Sequence, residues 1–277
     1  MQTANDNDRE GAAARPFLTV VIPAYNEERR LGPTLDTVLA HLAGRPFASE
    51  IVVVDDGSSD GTIGVAQARR AAGAPVRVVA YQPNCGKGHA VRVGMLAAAG
   101  ELALLCDADL STPIEELDHL LARIEAGADV AIGSRRAPGH DVRVPQPLYR
   151  VLLGRIHSWL CHSFLVPTIQ DFTCGFKLFK REVVQKLFGR CRQDRWTYDP
   201  EIIYLAYAAG YRIDEAPVVW ANDSATRVRL AFDVLDSLRG LVAIFCNHRL
   251  GLFLGASASE RGVVPVEVPP PPPVTPR

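Results

Sequence analysis

Through the first half of the chain, short apolar runs alternate with longer stretches in which apolar and polar positions recur at helical spacing. The runs predict strands at Phe17–Ile22, at Ile51–Val54, at Val76–Ala80, in the segment from Glu101 that ends in Asp107, and at Val130–Gly133. Helices are predicted after Asn26, after Asp60, from about Gly88, and over Ile114–Ala126. Strands that are continuously apolar and alternate with helices build a mostly parallel sheet covered on both faces, so the fold class is α/β. Further on, Val228, Ala231, Leu235, Leu238, Val242 and Phe245 fall on one helical face, with Arg229, Asp233, Asp236 and Ser237 largely opposite. Such an amphipathic segment, 226–255, either packs on the α/β domain or lies at a membrane interface, the latter helped by Arg239, Arg249, Leu252, Phe253 and Leu254. Residues 1–15 lack large apolar groups and 256–277 end in PPPPPVTPR, so both are expected to be disordered tails around a domain at 16–225.

A chain of 277 residues can bury a sizeable core. Its net charge of −1 lacks the basic excess of a nucleic-acid binder. The six cysteines are far apart, without metal-type or redox-type spacing, and read as reduced thiols. The N-terminal stretch carries acids where a signal peptide needs a basic start and an apolar middle. No run reaches about 18 uncharged apolar residues, so no membrane span is expected.

Chemistry concentrates where the predicted strands end. Ligands of open parallel sheets collect beyond the carboxyl ends of the strands. The five exits here read PAYNEE (Pro23–Glu28), DDGSSDGT (Asp55–Thr62), NCGKG (Asn84–Gly88), DAD (Asp107–Asp109) and SRR (Ser134–Arg136). Most informative is ELALLCDADLSTP, an apolar run that stops at two acids flanking one small residue. Unpaired charge beside a core is costly unless it coordinates something. Hard oxygen ligands suit Mg²⁺ or Mn²⁺, and Mg²⁺ typically shares its shell between one or two carboxylates and a substrate phosphate. Asp107 and Asp109 are therefore the expected metal ligands and a diphosphate the expected substrate; the alternative is a solvated turn with a helix cap. Asp60 reads as a helix cap, whereas Asp56 is expected to accept from a base N–H or a ribose hydroxyl. Lys87 sits between glycines, yet the spacing matches neither the P-loop nor the dinucleotide fingerprint.

These motifs in this order resemble the family-two glycosyltransferases of the GT-A fold. DADLSTP, together with DFTCGFKLF at 171–179 and RWTYDPEI at 195–202, further resembles the branch that transfers a sugar to a polyprenyl phosphate, especially its dolichyl-phosphate glucosyltransferase-like members. The resemblance covers roughly residues 17–245. It implies that Pro23, Tyr25 and Glu27 border the nucleotide base, that Asp56 and Asp55 recognise uracil or ribose, and that Lys87 and Asp107 belong to the donor site. It also implies that Asp107 and Asp109 hold the metal, with Ser111 standing where mannosyl-transferring relatives carry a glutamine. Arg135, Arg150 and Lys177 would meet the acceptor phosphate, Asp171 would complete the catalytic set, and Arg155 is a solvated helix charge or a second contact.

The reaction implied is inverting, metal-dependent transfer of a hexose, glucose from UDP-glucose, onto a polyprenyl phosphate. A phosphate acceptor is already ionised at neutral pH and needs arginines rather than a base. The alternatives are the same donor with a soluble hydroxyl acceptor, which would need a carboxylate base, or a nucleotide-sugar-binding protein without transfer. The expected location is cytoplasmic, free or peripheral at the inner face of a membrane.

Overall fold

The computed structural model describes residues 15–222, 230–250 and 265–269. In chain order the elements are β1 (Leu18–Ala24), α1 (Glu28–Ala43), β2 (Ser49–Asp56), α2 (Thr62–Ala71), β3 (Val76–Tyr81), α3 (Lys87–Ala97) and β4 (Leu102–Cys106). A 3₁₀ turn at Ile114–Glu116 leads into α4 (Leu117–Glu125) and β5 (Val130–Ser134). These match the predicted elements to within a few residues. The second half, which carries no comparable periodicity, adds β6 (Asp141–Val144), α5 (Leu148–Phe164), β7 (Phe176–Lys180), α6 (Arg181–Leu187) and α7 (Tyr198–Ala208). It continues with β8 (Ile213–Pro217), β9 (Val219–Ala221), α8 (Leu230–Arg249) and β10 (Val266–Glu267).

Eight strands form one sheet in the order β10-β3-β2-β1-β4-β7-β5-β8, and β6 pairs with β9 beside it. Strands β1 to β5 and β8 run parallel, while β7 and β10 are antiparallel to their neighbours. Alternation along the strands fills two cores. Val21, Val52 and Val54 meet Met95 of α3 and Ile203 of α7 on one face; Val20, Ile51 and Val53 meet Leu31 and Leu35 of α1 on the other. The mostly parallel, doubly covered sheet is the α/β architecture expected.

Two C-terminal expectations change. Along α8, Leu235, Leu238 and Val242 are exposed, while Gly240 and Ile244 are buried. The apolar stripe is thus not the face that packs on the domain; the small Gly240 is, lying so close to Thr197 that a Cβ would collide with it. Val228, Arg229, Leu252, Phe253 and Leu254 lie outside the described residues, as do the side chains of Ala231 and Asp233. Within the stretch expected to be a tail, β10 pairs with the edge strand β3, and Glu267 reaches Arg70 and Arg77 at 3.5 Å. An edge presents unpaired backbone groups that a short segment can satisfy.

Candidate active site

Strand order reverses between β2-β1 and β4, so the loops leaving β1 and β4 open side by side into a crevice. The β1 loop is latched to the β2 loop. Asn26, at φ 53°, donates its N–H to Ser58 Oγ at 2.8 Å and accepts from the Ser59 N–H at 2.8 Å. Glu27 is held through its N–H by Thr62 Oγ1 at 2.7 Å and through its carboxylate by Arg30 at 2.6 Å, so it shapes the rim. Tyr25 is exposed at that rim and Pro23 is half-buried behind it. Asp60 accepts from the Thr62 N–H at 3.0 Å and the Glu28 N–H at 3.3 Å, joining the starts of α2 and α1 from one residue before the α2 N-cap, Gly61.

Asp56 is also engaged within the fold. Its carboxylate accepts from the Cys85 N–H at 2.7 Å, the Gly86 N–H at 2.9 Å and Asn84 Nδ2 at 2.8 Å, so it ties β2 to the Asn84–Gly86 loop. Burial pushes its pKa up, and the backbone donors oppose that shift. Asp55 is different. It is fully buried, it accepts from the Ser58 N–H at 3.0 Å through Oδ2, and its Oδ1 meets no donor among the described residues.

At the end of β4 the two acids part. Asp109 is exposed, with Oδ1 accepting from the Ser111 N–H at 2.9 Å. Asp107 is half-buried, and its Oδ1 lies 2.7 Å from Lys87 Nζ. Burial works against the Lys87 ammonium, but Asp107, Asp199 and Asp109 outweigh it and raise the pKa. Gly175, just before β7, backs the Asp107 carboxylate so closely that a methyl there would overlap it. The donor set fits a divalent cation: two hard carboxylates on one rim, with a lysine beside them. Among the described residues no group of three or more His, Cys, Asp or Glu could enclose a metal alone, so phosphate and water oxygens would complete the shell.

The β5 exit is built around one buried ion pair. Asp171, with no exposure, accepts from Arg135 Nε at 2.7 Å, Arg135 Nη2 at 2.8 Å and the Arg135 N–H at 3.0 Å. Burial alone would raise the Asp171 pKa, but the guanidinium holds it well below the usual carboxylate range. Asp171 thus holds the Arg135 guanidinium in place and presents no surface of its own to the cavity. Arg135 also donates to Thr173 Oγ1 at 2.8 Å and lies 5.3 Å from the ring centre of Trp220. Lys177 corrects its assignment as a phosphate contact. It is fully buried in β7, where its ammonium donates to the Cys174 carbonyl at 2.5 Å and pairs with Asp199, out of reach of a phosphate.

Arg135 opens into a cavity of about 600 Å³ that Arg136, Arg150, Arg155, Lys87 and Trp196 also line. Arg150 Nε is buried there with no hydrogen-bond partner among the described residues. Trp196 and Trp220 were not anticipated; the only signal for Trp196 was its place in RWTYDPEI. Trp196 sits over Lys87, 5.6 Å from Nζ to ring centre. Its loop is strapped down by Glu201, which accepts from the Arg192 and Gln193 N–H groups at 2.9 and 2.8 Å, and by Arg92, which donates to Asp194 at 2.8 Å. Gly86, at φ 104°, passes beneath this strap where a Cβ would lie 2.6 Å from the Asp194 carbonyl.

Burial moves the Glu201 pKa from 4.5 up to about 7. The folded state then binds a proton more tightly than the unfolded state, so this group's contribution to stability falls as pH rises from about 4.5 to about 7 and is flat beyond. Glu201→Gln should flatten that part of the stability profile, as read from thermal midpoints between pH 5 and 8; an unchanged slope would assign it to other groups.

Against known proteins, residues 19–188 match the profile of glycosyl transferase family 2. The chain belongs to this family. It is a glycosyltransferase, 36% identical over 257 residues to the dolichyl-phosphate beta-glucosyltransferase of Drosophila melanogaster, covering 88% of this chain and 79% of that one. With the Homo sapiens dolichyl-phosphate beta-glucosyltransferase it shares 34% identity over 247 residues, 84% of this chain and 76% of the relative. Its fold matches glucosyl-3-phosphoglycerate synthase from Mycobacterium tuberculosis in complex with Mn²⁺, UDP and glucosyl-3-phosphoglycerate, at TM-score 0.60 and 20% identity over 86% of this chain and 81% of that one. The GT-A expectation holds at the level of fold.

Proposed function

We propose that this glycosyltransferase moves glucose from UDP-glucose onto a polyprenyl phosphate with inversion at the anomeric carbon. The observation that carries the acceptor is the cavity: Arg135, Arg150 and Arg155 converge on it, and Asp199, the one carboxylate lining it among the described residues, is tied to Lys177. An acceptor phosphate is largely dianionic near neutral pH, so such a site needs cations to orient it and no base to activate it. The similarity to dolichyl-phosphate beta-glucosyltransferases supports the same acceptor and sugar.

Placement supports each remaining role. Pro23 and Tyr25 border the base, and the unpartnered Oδ1 of Asp55 can accept one of its donors. Asp107 and Asp109 would hold Mg²⁺ or Mn²⁺, which when bound supplies Lewis-acid neutralisation of the departing diphosphate. Lys87 stands beside them to pair with a phosphate oxygen. An oxygen of the acceptor phosphate bonds to C1 of the hexose as the bond from C1 to the diphosphate oxygen breaks. UDP leaves with that electron pair, and no proton has to move.

The test is transfer of radiolabel from UDP-glucose or GDP-mannose to a short polyprenyl phosphate with Mn²⁺ or Mg²⁺, read in the organic phase. Label from UDP-glucose alone is the expected result; donor hydrolysis without lipid product would overturn the acceptor. Arg150→Ala should raise the acceptor KM about tenfold or more and leave the donor KM within twofold. Equal changes in both would remove Arg150 from the acceptor site. One observation favours a hydroxyl acceptor instead: His157 lines the cavity and burial lowers its pKa, so it is neutral and able to take a proton. In that case His157→Gln would abolish transfer, whereas a phosphate acceptor predicts little change.

A further inference from the structure

An open sheet has two edges to protect, because an edge strand offers its unpaired N–H and C=O groups to any other strand. On one side the sheet ends in β8, whose sequence IDEAP carries two acids and a proline and so guards itself. On the other side β3 lies beneath β10, and its sequence VRVVAY holds one charge and neither proline nor glycine. Six residues of that composition pair readily with a copy of themselves.

Residues 265–269 are fitted to this edge. Val266 lies opposite Ala80 and Glu267 opposite Val79 in an antiparallel pair. The Val268 N–H donates to the Val78 carbonyl at 2.9 Å, and the Val268 side chain packs on the core that contains Val76 and Val78. Arg70 donates to the Val268 carbonyl at 2.8 Å, while Glu267 lies 3.5 Å from both Arg70 and Arg77. Alternate residues of an antiparallel ladder turn their N–H groups toward the partner or away from it. Val268 faces inward, so Val266 does too, and the outward positions are 265, 267 and 269. Pro265 and Pro269 occupy two of these three, and proline has no N–H to offer. The segment therefore closes the β3 edge and leaves only the Glu267 N–H on the new one.

We propose that residues 265–269 are a built-in cap, and that the β3 edge beneath them is a pairing surface for a second copy of this chain. Two uncapped chains would meet β3 to β3, antiparallel about a two-fold axis, since identical edges then satisfy one another. Centred on Val79, this pairing sets Val78 against Ala80, the two residues whose outward groups β10 now engages. Arg77 falls opposite Tyr81 and not opposite its own copy, and each Arg77 keeps Glu50 at 3.1 Å.

The test uses the full chain carrying Val266→Pro/Val268→Pro, which removes both inward N–H groups and leaves the length unchanged. Light scattering after gel filtration should give this variant twice the mass of the wild type, with a cooperative thermal transition retained. An excess of a synthetic peptide of residues 263–270 should return it to the wild-type mass, whereas the same peptide with both substitutions should not. Glu267→Lys, which sets a third cation against Arg70 and Arg77, is the milder variant and should dimerise to an intermediate extent. Variants that keep the wild-type mass, or a dimer that the peptide leaves intact, would overturn the pairing surface. If the double proline variant aggregates without a cooperative transition, Glu267→Lys decides alone, and its running at the wild-type mass would overturn the proposal.

Discussion

Asp107→Ala should lower kcat for sugar transfer about a thousandfold without unfolding the protein, because it removes the half-buried carboxylate of the proposed metal pair. Among the described residues one charge contact, to Lys87 at 2.7 Å, is lost from the folded state. Gly175→Ala offers a companion test that leaves both acids in place. Its methyl would displace the Asp107 carboxylate from the backbone of the β7 approach, so transfer should fall nearly as far and the apparent affinity for Mn²⁺ with it. Steady-state rates across a Mn²⁺ titration, with thermal midpoints as the fold control, separate the outcomes. A Gly175→Ala enzyme with wild-type metal dependence would show that Asp107 is not a ligand.

The second large effect is on stability. Lys177→Ala strands the Asp199 carboxylate in the interior, and breaking a buried pair from one side costs about 3–5 kcal/mol. For a chain of this size that corresponds to a thermal midpoint lower by roughly 10 °C. Replacing both partners with apolar residues of similar volume, Lys177→Met with Asp199→Leu, should recover most of the loss, since no charge is then left uncompensated. If Lys177→Ala alone were neutral, the pair would be solvated and Lys177 would return to the list of phosphate contacts.

How much of this was legible in the sequence depends on how far apart the interacting residues are. Strands β1 to β5 were readable because a parallel strand covered on both faces must be apolar throughout, and Asp107 and Asp109 stood out because they end such a run. The tie from Asp56 to the loop after β3 was not legible, because its partners are backbone N–H groups of Cys85 and Gly86, which no side-chain pattern announces. Lys177 was misread for a similar reason: its acid, Asp199, is 22 residues away and on another element. Asp171 was half-read, in that its motif placed it in the site but not beneath Arg135, 36 residues earlier in the chain. The apolar stripe of α8 was visible, yet periodicity alone cannot say whether such a stripe faces protein or solvent. The same holds for α5, whose exposed Leu148, Leu152 and Trp159 carry a period that a buried helix would also show.

Strand β7 has a consequence for how the molecule is made. It follows β5 in the chain but lies between β4 and β5 in the sheet. As the polypeptide leaves the ribosome, β4 and β5 therefore cannot close against each other, and the growing sheet keeps a gap until Lys180 has emerged, roughly 2 to 10 s after Ser134 at ordinary synthesis rates. Gly175 behind Asp107 and Asp171 beneath Arg135 arrive on the same late segment. The nascent chain should thus gain both halves of its reaction centre in one step, and stalling it short of residue 180 should leave an open, apolar slot for a chaperone to cover.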